Sequence, residues 1–134
     1  MKKLLVFLFT ILLLSACTSN DDLVAYVDDF KNSGFQNNAG QSMALTEEGL
    51  MMSGPRNESG SKKLSDIDLF LESLGIQEGE HFLQIYENAK ITTDGSKYIV
   101  SIPNIVQFEF EKIGERIIKD SQGIEYFTAE YSKE

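Results

Sequence analysis

Val106-Gln107-Phe108-Glu109-Phe110-Glu111 alternates apolar and polar residues at every step. Successive side chains of an extended chain point to opposite faces. A period of two therefore sets Val106, Phe108 and Phe110 against a core and leaves Gln107, Glu109 and Glu111 in water. The surrounding chain reads outward from this half-buried strand. Upstream, Pro103-Asn104 ends a β-branched and aromatic run, Tyr98-Ile99-Val100-Ser101-Ile102. Asp94-Gly95 before it is a hairpin signal, which places an earlier strand over about 81–92. Downstream, Gly114 marks a bulge or bend ahead of a strand over 115–119. Asp120-Ser121-Gln122-Gly123 then turns the chain into a closing strand over 124–131. The last fifty residues thus read as an antiparallel meander of four or five strands.

Two helices are expected ahead of the meander. Leu23, Val24, Val27 and Phe30, with Tyr26, recur at the spacing of one helical face, predicting a core-facing helix over 21–33. Ser19, Asn20 or Asp21 is placed to cap it, Asp21 and Asp22 suit its positive end, and Gly34 stops it. The second helix is capped by Ser65, carries Asp66 and Asp68 in its first turn, and turns Ile67, Phe70, Leu71 and Leu74 inward before Gly75. Between them, 35–63 loses clear period. Met43-Ala44-Leu45 and Leu50-Met51-Met52 flank Thr46-Glu47-Glu48-Gly49, and the pattern fits either a small hairpin or a capped helical turn. The clustered methionines are read as core filling in preference to an adaptable contact surface. Helices followed by a meander make an α+β domain over 21–134, in a layout such as the cystatin-like fold. That analogy is architectural and carries no function.

The first twenty residues follow a different logic. Met1-Lys2-Lys3 precedes an apolar run over 4–14, then Leu14-Ser15-Ala16-Cys17 and a polar stretch, Thr18-Ser19-Asn20-Asp21-Asp22. Eleven apolar-run residues fall short of the ~20 needed to span a bilayer core, and a basic start before a short apolar run is the pattern of a secretory signal. The order resembles the signal peptide and lipobox of bacterial lipoproteins. The resemblance implies recognition of Leu14, Ser15 and Ala16 by the lipoprotein signal peptidase. It also implies a diacylglyceryl thioether on Cys17, cleavage after Ala16, and 17–20 as lipidated cysteine and short tether. Two acyl chains anchor stably where one does not. The expected location is the extracytoplasmic face of a cell membrane, or the outer membrane of a Gram-negative cell.

Charge narrows the partners. The chain has 12 basic and 21 acidic residues. Residues 1–16 hold two lysines and no acid, so their removal leaves a net charge of −11. A domain so acidic has no basic patch to release counterions from phosphates, which excludes nucleic acid as a partner. Anionic headgroups repel it within a Debye length of about 8 Å. Cys17 is the only cysteine; once lipidated, it leaves the domain dependent on its apolar core.

Catalytic and metal-binding sets are sparse. His81 is the only histidine, and Glu78-Gly79-Glu80-His81 reads as a solvated loop rather than a cation site. Glu109 and Glu111 share a strand face, which is a solvent face first. Asn57-Glu58-Ser59 matches a glycosylation sequon, which is discounted in a bacterial lipoprotein. No phosphate-binding loop or nucleophile elbow occurs in the sequence, and no cofactor is implied. The expected function is a non-enzymatic envelope lipoprotein that binds an envelope protein or assists an envelope complex. The alternative is a small-ligand-binding lipoprotein, or a hydrolase with a carboxylate pair drawn from distant segments. A minor reading makes 10–16 a released peptide messenger.

Overall fold

In the computed structural model, residues 23–128 are described, except 33, 59, 61 and 62. They form a nine-stranded antiparallel sheet: β1 (Phe35–Asn37), β2 (Ser42–Thr46), β3 (Gly49–Pro55), β4 (His81–Tyr86), β5 (Lys90–Asp94), β6 (Lys97–Ile102), β7 (Val106–Gly114), β8 (Ile117–Lys119) and β9 (Glu125–Thr128). One α-helix, α1 (Asp66–Ser73), lies between β3 and β4. Sheet order is β4-β3-β2-β1-β9-β8-β7-β6-β5. The long-range contact is β1 against β9, with Phe35 opposite Thr128 and Asn37 opposite Tyr126.

This connectivity forces the sheet to curl. Laid flat, its edge strands β4 and β5 would stand eight spacings apart, roughly 38 Å. Residues 87–89 alone join Tyr86 to Lys90, a reach of about 14 Å. The sheet therefore bends round until its two edges approach, giving a curled half-barrel whose concave face holds the core. Eight successive antiparallel pairings also leave β4 and β5 pointing the same way. The chain crosses the open seam without reversing.

The alternation around Phe108 holds. Phe108 and Phe110 are buried, and Gln107, Glu109 and Glu111 are exposed. In β6, Tyr98, Val100 and Ile102 face inward on the same principle. A register shift between Lys112 and Gly114 bends the end of β7 where the glycine marks a bulge. Two aromatic groups fill the concave side. Phe30 packs at 5.0 Å from Phe35 and 5.2 Å from Tyr98. Phe70 of α1 meets Phe82, Tyr86 and Phe108 at 5.6 to 6.4 Å. The Phe108–Phe110 contact at 6.2 Å joins the groups into one core.

The α+β layout with two N-terminal helices and a four- or five-stranded meander is corrected by this architecture, and the cystatin-like analogy falls with it. The described part of 21–33 contains a single 3-10 turn, Val27–Phe30, behind an extended lead. Its apolar residues do not share one buried face. Ala25 and Phe30 are buried, whereas Leu23, Val24 and Tyr26 are 36, 37 and 59% exposed. The Ala25 N–H donates to Gly95 O at 2.8 Å, so tertiary pairing takes the amide that a helix would use. The loop-rich 35–63 region supplies β1, β2 and β3. The methionine segment is a hairpin in which Met43 pairs with Met52, both buried in the core. The strand expected over 81–92 is two strands, β4 and β5, divided at 87–89.

By contrast, α1 starts and stops as its sequence specifies. Ser65 Oγ accepts from Asp68 N at 3.0 Å, and the Asp68 carboxylate accepts from Ser65 N, forming a reciprocal cap. At the other end, Gly75 N donates to Glu72 O and Ile76 N to Leu71 O, the pair of bonds that closes a helix on a left-handed glycine. Ile67, Phe70 and Leu71 face inward, while Leu74 lies at the cap, 44% exposed.

Candidate functional site

The sheet has two chemically distinct ends. At one, the incoming segment and the 3-10 turn cover the tips of β6 and β7. At the other, the N-terminus of α1 meets the β1–β2 turn, the end of β3 and the β8–β9 turn.

The second end carries a buried polar cluster. Gln41 is fully buried and saturated. Its Oε1 accepts from Asn37 Nδ2 at 2.9 Å and from Ser65 Oγ at 2.6 Å. Its Nε2 donates to Asp68 Oδ1 at 2.6 Å and to Pro55 O at 2.9 Å. Asp68, 2% exposed, also accepts from Asn57 N at 2.9 Å. Asp120 fastens the same helix end to the β8–β9 turn, accepting from Asp66 N at 2.9 Å and from the Tyr126 hydroxyl at 3.0 Å. The Gln122 and Ile124 amides donate to its other oxygen. The Asp66 carboxylate, which accepts from Ser121 N at 2.9 Å, joins those of Asp68 and Asp120 at the positive end of the helix, an electrostatically favourable place. Together their bonds join four chain segments that are distant in sequence.

Over this cluster opens a cleft of about 460 Å³, with Asn38, Lys63, Glu125 and Phe127 on its walls and Asn57 and Asp68 at its floor. Both Asp68 oxygens are engaged by protein donors, Oδ1 by Gln41 and Asn57 and Oδ2 by Ser65. The arrangement is suited to holding the fold together, and it leaves the rim residues as the groups that meet a partner or ligand.

At the opposite end, Lys112 takes the inward position that follows Phe110 in β7 and is 9% exposed. Its Nζ donates to Val24 O at 3.0 Å and lies 3.3 Å from Asp29 Oδ2. The same carboxylate oxygen accepts from the Tyr98 hydroxyl and from Tyr26 N. Burial first, and then the Asp29 carboxylate, push the Tyr98 phenol far above its ordinary value. Burial and then Asp120 do the same to Tyr126, against weaker opposing hydrogen bonds from Ser65 and Asn37.

These phenols make the fold sensitive to alkali. Their folded pKa values lie above the unfolded value of about 10, so their contribution is complete below pH 10 and is lost as pH rises beyond it. Each phenol steepens the fall by about 1.4 kcal/mol per pH unit. Tyr98→Phe and Tyr126→Phe should each flatten the stability slope between pH 10 and 11.5 in urea titrations, on the order of that amount. Slopes unchanged in both variants would refute the assignment.

Leu14, Ser15, Ala16 and Cys17 lie outside the described residues. His81 is exposed at the start of β4, where it pairs with Pro55. Glu80 accepts from Gln77 N at 3.0 Å within its turn. Glu109 and Glu111 are exposed on the outer face of β7, with Glu111 opposite Lys97 and Lys119 on the neighbouring strands. Asn57 serves the Asp68 cluster. Among the described residues, no group of three or more His, Cys, Asp or Glu side chains is placed to hold a metal ion. Nor is any described helix long and apolar enough to cross a membrane. The sequence reading missed the Gln41–Asp68–Asp120 cluster. Its only sequence signal was the Ser65-Asp66-Ile67-Asp68 capping pattern, which specifies a helix start and not a junction of four segments.

No family model, curated protein or solved structure matches the chain.

Proposed function

We propose that the chain is a bacterial envelope lipoprotein in which residues 1–16 are removed, Cys17 is lipidated, and the curled sheet is a non-enzymatic module that engages another envelope protein. The observation that carries this reading is the run from Lys2 through the apolar segment to Leu14-Ser15-Ala16-Cys17. The position of the first described residues supports it. They join the sheet at the β5–β6 hairpin tip, through Ala25 and Gly95, at the end away from the cleft. A chain held by Cys17 thereby turns α1, the cleft rim and the turns at 103–105 and 120–124 away from the bilayer. The cleft also accommodates the alternative, a small-ligand receptor; the engagement of both Asp68 oxygens by protein donors favours the protein-binding reading.

The test is crosslinking in intact cells with a tag after Glu134, alongside Cys17→Ala, with mass spectrometry of the mature start. The expected result is a lipidated Cys17 in the membrane fraction and one dominant envelope protein captured, with both lost in Cys17→Ala. An unmodified Cys17 would refute the anchor. Stabilisation by a small soluble ligand with no protein captured would replace the partner reading with the receptor reading.

A further inference from the structure

Three of the four residues Leu23, Val24, Ala25 and Tyr26 present apolar side chains to solvent at the very start of the described chain. Single exposed apolar residues are ordinary on a protein surface. Here three fall in four consecutive positions, and the fold holds the backbone of 24–26. Ala25 is buried and pairs with Gly95 O, Val24 O accepts from Lys112 Nζ, and Tyr26 N donates to Asp29. Lys112 Nζ also sits 5.8 Å from the centre of the Tyr26 ring. The backbone of 24–26 is fixed by three neighbours, Gly95 in the β5–β6 turn, Lys112 on β7 and Asp29 in the 3-10 turn, and does not belong to a loose end.

We propose that Leu23, Val24 and Tyr26 form a lip that rests in the headgroup–acyl boundary of the membrane carrying the protein. The inference depends on the lipid anchor proposed above and adds which face meets the bilayer. Chain length selects the occupant. From Cys17 to Leu23 there are six peptide steps, at most about 20 Å, while the interfacial zone on each side of the hydrocarbon is itself several ångströms deep. No other surface is brought to this segment by a covalent tether. The chemistry agrees. Tyrosine, with an apolar ring and a polar tip, is favoured at that depth, and two aliphatic neighbours add apolar area. Charge does not drive the contact, because the domain is strongly acidic and Asp28 and Asp29 follow the lip within three residues. Binding to zwitterionic lipid should therefore equal or exceed binding to anionic lipid, the reverse of an electrostatic membrane contact.

The protein has no tryptophan, so one introduced indole reports alone. Lipidated full-length mature protein carrying Tyr26→Trp would be placed in phosphatidylcholine vesicles with brominated acyl chains, and in matched vesicles containing phosphatidylglycerol. A second variant, Ile105→Trp, puts the reporter in an exposed turn at the opposite end of the sheet. The expected result is a blue shift and bromine quenching at position 26, none at position 105, and no gain from phosphatidylglycerol. If mass spectrometry shows the lipid on Cys17 and position 26 is not quenched, the lip is refuted while the anchor stands. A blue shift without quenching, appearing as protein concentration rises, would overturn the proposal in favour of a second copy of the chain. Absence of lipid on Cys17 in the producing cells would overturn both readings.

Discussion

Asp68→Ala is expected to remove about 3–5 kcal/mol of stability, the range for stripping one partner from a buried charged cluster. The carboxylate is the acceptor for Gln41 Nε2, Asn57 N and Ser65 N. Gln41 retains Pro55 O, but the Asn57 and Ser65 amides lose their acceptor in a region where Ser65 and Gln41 are fully shielded from water. Each buried donor left unpaired costs about 1–3 kcal/mol. The loss also undoes the reciprocal cap of α1, worth about 1 kcal/mol. For a domain of ordinary stability, about 5–15 kcal/mol in total, one substitution would remove a large share. Equilibrium urea unfolding should show a lower midpoint with little change in slope. Asp68→Asn, which keeps the shape and one acceptor, should lose less than half as much. A midpoint for Asp68→Ala indistinguishable from the parent would mean that the cluster contributes nothing to holding α1 on the sheet.

Gly34→Ala should be more damaging still. Gly34 has φ of +62°, and a Cβ there would lie 2.1 Å from Met43 O and 2.7 Å from Ala44 Cα. Both are backbone atoms of β2, which is paired on one side with β1 and on the other with β3. Relief of the clash therefore requires β1 to move away. Among the described residues, β1 alone lies between β2 and β9 and so unites the two halves of the sheet. The expected loss exceeds about 4 kcal/mol, a size reached by few single substitutions. Gly75→Ala separates the contributions. Gly75 has φ of +81° with nothing within 4 Å of the added carbon. It carries only the left-handed backbone penalty, roughly 1–2 kcal/mol. Equal losses at the two positions would show that β2 yields to the added methyl.

How much of this was legible in the chain varied with the range of the interaction responsible. The limits of α1 follow from Ser65, Asp68 and Gly75, whose bonds are made within six residues, so they could be read directly. The inward faces of β6 and β7 were equally legible, because strand alternation is set by backbone geometry and the neighbours share it. The segment 21–33 was misread for the complementary reason. Its apolar spacing fits a helix, yet Leu23, Val24 and Tyr26 end on the surface because Gly95 O and Lys112 hold the backbone extended. Those partners lie some seventy and ninety residues away. The candidate site divides in the same way: the proposal for Cys17 and its flanks rests on local order alone, whereas nothing in the sequence around Gln41 or Asp120 marks either as buried.

Sequence alone determined the acidic balance, the start and stop of α1, and the alternation of the later strands, and it alone carries the proposal of a signal and lipobox. Each depends on composition or on contacts between near neighbours. Tertiary structure decided that nine strands form one sheet, that residues 87–89 force it to curl, and that Lys112 and Asp29 fasten the entering chain at one end while Gln41, Asp68 and Asp120 close the other. These outcomes rest on pairings such as β1 with β9, between segments about ninety residues apart. A β-strand's hydrogen bonds do not specify their partner within the strand itself; the partner is chosen by which arrangement buries the most apolar surface with every polar group satisfied.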